Sequence, residues 1–325
     1  MKKNRYLMIA LVLLVVYAFF QISVLSQENG DPAEAYPEEN APPQQSAAKI
    51  NFDGMAPDIE KIIQRGHLIV AMFAIDIPIF YEVDEDVAYE VDENGLIVQG
   101  LKGFDVDFAK ALAASLGVEA RFDRGADSFD KLTEKLKNGE VDIIISTYSI
   151  TPERTKYISF SDPYLETYLS IIVGKQQLVR NKIEYNPLEY MKTTPGVKIG
   201  VEGGTAYVSL AKMLFPKAEI VELYNNEDGY EQAYKQGCYK VKSGELFACF
   251  FGELQILEIF EKDPTLSLYT SVYTFTDLPD QFCVGVSRDT PQLLNFVNSY
   301  IRTNKMVTYS EIAEAFNAKY GGETK

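Results

Sequence analysis

The stretch VDIIISTYSITPERTKYISFSDPY, residues 141–164, decides the fold. It opens on an apolar run, Val141, Ile143, Ile144 and Ile145, that reads as a buried strand. A polar loop, Thr147-Tyr148-Ser149, follows. Thr151-Pro152-Glu153-Arg154 then has the form of a helix start. Thr151 is a good N-cap, and Pro152 fits the first helical position because its missing N–H has no partner there. Arg154 falls within that first turn. A strand end, unpaired N–H groups and a guanidinium facing one spot make a site for a carboxylate. The stretch therefore predicts capture of a small anion rather than chemistry on one.

The chain around it has 325 residues, 46% hydrophobic and 24% charged. It is long enough for two lobes of ordinary size and has the balance of a globular protein. Its formal net charge of −16 argues against nucleic acid and anionic lipid surfaces as partners. One arginine in a local pocket still suffices for an anionic group on a ligand.

Residues 1–26 form a separate object. Lys2, Lys3 and Arg5 precede an almost wholly apolar run from Tyr6 to Leu25. The run is about long enough to span a bilayer, so it reads as a signal peptide or as an N-terminal membrane anchor. Basic residues on its N-terminal side place the rest of the chain outside the cytoplasm, in the periplasm or at the cell surface. Residues 27–56 read as an acidic linker, with Pro32, Pro37, Pro42 and Pro43 and little to bury.

Three cysteines, Cys238, Cys249 and Cys283, leave at least one thiol free or in an intermolecular bridge, and their spacing fits no metal site. Cys249 sits in an apolar run and reads as a small core residue. His67, the single histidine, is expected at the surface. No metal and no cofactor is expected.

From residue 57 on, strand and helix patterns alternate, which implies mainly parallel sheets covered by helices. A helix over 58–65 stops at Gly66, and a strand follows over 68–73. The acidic excursion Glu82–Leu101 carries the hairpin signal Asn94-Gly95. A helix opens at Gly103-Phe104-Asp105, a strand runs over 118–122, and Ser128 caps a helix over 128–138. Past Val173 the pattern restarts. Strands are expected over 197–201, 219–223, 246–251 and 281–286, with helices from Thr205 to 214 and over 227–236, 253–261, 291–303 and 309–320. The stretch Gly237–Gly244 has no functional reading.

Three loop-to-helix junctions stand out: Thr147-Tyr148-Ser149 with Arg154, Gly203-Gly204-Thr205-Ala206, and Phe250-Phe251-Gly252-Glu253. Glycines in the second let a backbone approach a ligand closely. The third places a carboxylate at a strand end. An arginine and unpaired N–H groups for a carboxylate, with a carboxylate for an ammonium, describe a zwitterion site. In doubly wound folds such positions lie at the strand carboxyl ends, where ligands bind.

In order along the chain, Gly103-Phe104-Asp105-Val106-Asp107, Gly139-Glu140-Val141-Asp142, Ser149–Arg154, Phe160-Ser161-Asp162-Pro163-Tyr164, Gly204-Thr205 and Phe250-Phe251-Gly252-Glu253 resemble the family-3 periplasmic solute-binding proteins, the amino-acid-binding proteins of ABC importers. The resemblance implies an α/β two-lobed clamshell like the type II periplasmic binding proteins, each lobe a mainly parallel sheet flanked by helices. Lobe one would be residues 57–173 and 284–325. Lobe two would be 174–283 with the hinge strands, which cross near 172–175 and 278–284. It also implies an amino acid or a close analogue as ligand, an ABC permease in the membrane as partner, a monomer, and no enzymatic activity. Carried over by motif, Arg154 with the N–H groups of Ser149, Thr205 and Ala206 would bind the α-carboxylate, beside Gly204. The Thr147 carbonyl and Glu253 would accept from the ammonium. Glu253 stands where an aspartate is common. Phe73, Asp76, Phe80, Tyr81 and Tyr148 are expected near the side-chain pocket, two of the four aromatics being equally at home in the core. The fold also admits a ligand-sensing ectodomain, or a cyclohexadienyl-dehydratase-like enzyme with Asp76 or Glu253 as its acid or base.

Overall fold

The computed structural model describes residues 52–77, 79–184, 186–225 and 232–320. The segments expected as signal peptide or anchor and most of the expected linker lie outside the described residues. Among the described residues no helix is long and apolar enough to cross a membrane.

The first half runs α1 (Pro57–Arg65), β1 (His67–Phe73), β2 (Glu82–Val83), β3 (Glu90–Val91), β4 (Ile97–Gln99), β5 (Leu101–Lys102), α2 (Phe104–Ser115), β6 (Glu119–Ala126), α3 (Phe129–Lys137), β7 (Ile143–Ile144) and the long β8 (Ser159–Gly174). The second runs α4 (Lys175–Arg180), α5 (Pro187–Thr193), β9 (Lys198–Glu202), α6 (Ala206–Leu214), β10 (Glu219–Leu223), α7 (Ala233–Ser243), β11 (Ala248–Gly252), α8 (Glu253–Lys262), α9 (Leu266–Tyr269) and the long β12 (Thr270–Val286). Helices α10 (Pro291–Thr303) and α11 (Tyr309–Tyr320) follow.

One mixed sheet runs β10-β9-β11-β8-β12-β7-β1-β6-β4-β3. Its flanks are the two expected parallel sets, β10-β9-β11 and β7-β1-β6. What joins them is a long antiparallel ladder of β8 with β12, from Thr270–Gly174 to Val286–Ser159. The hydrophobic core changes over along that ladder. Tyr164, Leu165, Phe282 and Val284 belong to a core with Val70, Leu112, Phe122 and Val297. Leu169 and Ile171 belong to a second, with Ile199 and Phe250. On the opposite sheet face, Ile172 packs with Cys249, Phe251 and Ile256 in a third.

Local chemistry sets the boundaries. Gly66 ends α1 in the left-handed region, at φ 80°. The Ser128 hydroxyl accepts the Lys131 N–H at 3.3 Å, capping α3. Ser128→Ala should therefore cost about 1 kcal/mol, read as a fall of a few degrees in the thermal midpoint. Gly103 sits at φ 121°, where a Cβ would meet the Phe80 carbonyl oxygen at 2.4 Å. That approach lets the first turn of α2 donate to residues 79–80, Phe104 N–H to the Ile79 carbonyl and Asp105 N–H to that of Phe80.

Four expectations are corrected. The helix start at Thr151–Arg154 is a single 3-10 turn, Arg154–Lys156, because the strand-forming run beginning at Ser159 leaves no room for more. The Thr151 hydroxyl does cap it, accepting the Arg154 N–H at 3.1 Å. The helix expected over 227–236 is α7, Ala233–Ser243, and residues 226–231 lie outside the described set. Gly237 stands inside it because a Cβ there would meet the Phe251 ring at 2.8 Å, so the helix needs a glycine to pack on β11. His67 is buried, as the first residue of β1 paired to Glu119 on β6, and burial lowers its pKa. The strand expected over 281–286 begins eleven residues earlier, at Thr270.

The three cysteines are buried free thiols, Cys238 and Cys249 in the third core. The Glu82–Leu101 excursion folds as β3 and β4 around the Gly95 turn, with β4 pairing to β6 and adding an edge to the sheet.

Candidate functional site

A cavity of about 630 Å³ opens where the strand ends of both parallel sets meet the β8–β12 ladder. Thr147, Ser149 and Arg154 line it from one side, and Thr205, Ala206 and Glu253 from the other. The three junctions singled out in the sequence therefore converge on one cavity.

Arg154 is 7% exposed, and among the described residues it makes no ion pair with a carboxylate. Its Nη1 donates to the Ser149 carbonyl at 2.8 Å, and its Nη2 reaches the Gly204 carbonyl across the cleft at 3.5 Å. The guanidinium lies 4.2 Å from the Tyr148 ring centroid and 5.4 Å from that of Phe129. Burial lowers its pKa, the nearest partial compensation coming from Tyr148, Asp130 and Asp280. A buried cation held by a carbonyl and two ring faces has donors left for an anion.

The loop that carries it is pinned from below. Thr147 stands in the left-handed region at φ 45°, costly for a β-branched residue. Its N–H donates at 2.7 Å to the carboxylate of fully buried Asp105, which also accepts the Tyr164 hydroxyl at 2.8 Å. Despite both donors, burial pushes the Asp105 pKa up to about 7.

On the facing side, the Thr205 hydroxyl caps α6 by accepting the Tyr207 N–H at 3.3 Å. The first N–H groups of a helix have no partner within it, so those of Thr205 and Ala206 are available at the cavity. Glu253 opens α8. Its carboxylate accepts the Tyr309 hydroxyl from α11 and the Thr274 hydroxyl from β12, the latter at 3.2 Å.

The remaining expected residues divide. Phe80 lines both this cavity and a second one of about 550 Å³, where Phe73 and Asp76 also lie. Asp76 pairs with Arg124 at 2.7 Å. Tyr81 and Tyr148 are fully buried core residues, Tyr148 acting on the cavity only through the ring beneath Arg154. Gly204 touches Arg154 by its carbonyl.

Sequence reading missed Phe129, Asp280 with its donor Tyr207, and Glu202 with its donor Gln255. Phe129, at the start of α3, stacks on Phe73 at 5.1 Å and backs Arg154. Asp280, buried on β12, accepts the Tyr207 hydroxyl at 2.8 Å and is hydrogen-bonded by Ser149, while burial raises its pKa. Glu202, at the end of β9, lines both cavities. Its neighbour Gln255 donates to it at 3.4 Å, and burial pushes its pKa up to about 7. An acid beside Gly203-Gly204, and one ahead of an apolar strand end, were the available signals.

The model of the bacterial extracellular solute-binding proteins, family 3, matches residues 83–319. The ABC transporter arginine-binding protein 1 of Escherichia coli is 30% identical over 217 residues, 65% of this chain and 80% of that one. The glutamine-binding protein of Geobacillus stearothermophilus is 27% identical over 220 residues, 67% and 74% of the two chains. Among solved structures, an ancestral amino acid-binding protein, a precursor of cyclohexadienyl dehydratase, has a TM-score of 0.56 at 28% identity, covering 82% of this chain and 99% of the other. An amino acid ABC transporter substrate-binding protein of Streptococcus pneumoniae bound to L-arginine also has a TM-score of 0.56, at 25% identity and 81% and 98% coverage. The fold is that of the type II periplasmic binding proteins, and the chain belongs to the bacterial extracellular solute-binding proteins of family 3.

Proposed function

We propose that this protein binds an amino acid or a close analogue in the cavity between its two lobes, outside the cytoplasm, and delivers it to an ABC permease. The observation that carries this reading is Arg154: a buried guanidinium with no carboxylate partner among the described residues, at the wall of a cavity. Its donors, with the N–H groups of Thr205 and Ala206, would take the α-carboxylate. Glu253 would accept the ammonium together with the Thr147 carbonyl. A carboxylate has about four lone-pair sites, so the two hydroxyls already on Glu253 leave room for it.

Both sides of the cavity would touch the ligand, so binding favours the closed form, with the two lobes moving about β8 and β12. The change of core along that ladder favours a hinge at about residues 166–168 and 279–281. The first segment is a few residues before the crossing near 172–175 that the resemblance implied, and the second falls within the implied 278–284. The apolar N-terminal segment would export the protein, as a cleaved signal or a retained tether.

A panel of the common amino acids, read by thermal unfolding, tests the proposal. At a hundred times its Kd a ligand stabilises by about 2.7 kcal/mol, which raises the midpoint by several degrees. A panel that raises it nowhere overturns the reading. The second reading, a dehydratase on the same scaffold, is favoured by one observation: Glu202, a cavity carboxylate with a pKa of about 7, suits a general acid. Turnover of prephenate or arogenate, lost in Glu202→Gln, would establish it.

A further inference from the structure

The second cavity continues the first. Ile77, Phe80, Glu202, Leu254 and Gln255 line both, so a ligand held at Arg154 can extend past Glu202 into the second chamber. That chamber is rich in acceptors. Asp76, Glu202 and Glu258 line it, and among the described residues no lysine or arginine does. Two of these carboxylates are already served: Asp76 by Arg124, and Glu258 by Lys262 and, at 2.8 Å, the Tyr234 hydroxyl. Among the described residues Glu202 has only the neutral amide of Gln255, at 3.4 Å. Gln255 is itself turned to the backbone, its Oε1 accepting the Gly252 N–H at 3.1 Å. A second observation points the same way. The Oε1 of Gln232, which lines this chamber, is buried and among the described residues accepts no hydrogen bond. A carboxylate without a cation and a carbonyl oxygen without a donor are both costly where they stand. One group relieves both: a cation with several N–H donors.

We propose that Glu202, with Gln232, selects a ligand whose side chain ends in a cation, a guanidinium ahead of a primary ammonium. The preference follows from donor count. A guanidinium carries five N–H groups in a planar fork and can reach a carboxylate and a separate carbonyl at once, whereas an ammonium is a point charge with three donors. Phe80 and the aliphatic Ile77 and Leu254 between the two ends suit the methylene chain of such a ligand.

This inference rests on the amino acid reading of the Arg154 end, and L-citrulline separates the two. It has nearly the shape of L-arginine without the charge. Calorimetry on the full chain in mild detergent should give L-arginine an affinity at least about thirtyfold above L-citrulline, with L-lysine between them. In Glu202→Gln the arginine-to-citrulline ratio should collapse to about threefold or less. Equal affinities for arginine and citrulline in the wild type, or an unchanged ratio in Glu202→Gln, overturn the selector and leave the amino acid reading standing. No binding of arginine, citrulline or glutamine at millimolar concentration overturns both.

Discussion

Arg154→Ala should lose amino acid binding by about 3–5 kcal/mol, roughly two to three and a half orders of magnitude in Kd, while the thermal midpoint of the unliganded protein changes little. The two halves have one cause. In the empty protein the guanidinium is 7% exposed and only partly compensated, by carbonyls, ring faces and the charges of Asp130 and Asp280, so its charge is a cost that alanine removes. Against that gain stands the lost packing over Tyr148 and Phe129. In the liganded protein the same charge meets a carboxylate in a confined cavity, and its removal leaves that carboxylate desolvated and unpaired. Lysine does not rescue, because an ammonium cannot hold the Ser149 carbonyl and present two parallel donors to a carboxylate. Calorimetry with the best ligand of the panel measures the first half and thermal unfolding without ligand the second. A variant that binds within tenfold of wild type removes Arg154 from the site. One that no longer folds makes the residue structural.

How much of this site could be read in the sequence depends on how local each signal is. Arg154, Thr205 and Glu253 announce themselves because a strand end, a cap and a charge within a few residues make a junction, and all three junctions line the cavity. Glu202 and Asp280 did not, although each stands at the edge of an apolar run. What makes them part of the site is the pairing of strands far apart in sequence: Asp280 sits opposite Thr167 in the β8–β12 ladder. The long reach of β12 was hidden for a similar reason. Asp277, Leu278 and Pro279 interrupt its pattern, and the ladder slips there, between Phe275 and Pro279, rather than ending. Gly237 misled in the other direction. A glycine reads as a helix stop, yet here it answers the close approach of α7 to Phe251, which no local pattern records. Of the four candidate pocket aromatics, Tyr81 and Tyr148 went to the core because Ser146 and Thr133 meet their hydroxyls there.

The second large effect is expected at Asp105, outside the cavity. Asp105→Ala should destabilise the protein by about 2–5 kcal/mol at pH 5, because the Thr147 N–H and the Tyr164 hydroxyl both lose their buried acceptor. It should also weaken ligand binding, since that N–H bond holds Thr147 in its left-handed conformation beside the cavity. The penalty should shrink toward pH 8, and the sign follows from linkage. Burial raises the Asp105 pKa from 3.8 in the unfolded chain to about 7. The native state then binds the proton more tightly, so the stability this group contributes is complete below about pH 4 and is lost as the pH rises through 7. Glu202, also raised to about 7, and Asp280, raised by burial, act in the same direction. His67, its pKa lowered, opposes them, gaining stability as the pH rises through the unfolded value of 6.5. Glu311, at about 2, is already fully ionised and contributes nothing to the slope above pH 5. Two carboxylates raised to about 7 outweigh one imidazole, so the unliganded wild type should melt lower at pH 8 than at pH 5. Asp105→Ala should flatten that fall, and Glu202→Gln should flatten it independently. A wild-type midpoint that rises from pH 5 to pH 8 would contradict the balance of buried acids. A slope unchanged in Asp105→Ala would exclude this carboxylate from it. Since a cationic ligand would ionise Glu202 on binding, the slope should also lessen when L-arginine is present at saturation, which ties the pH dependence of the fold to the occupancy of the site.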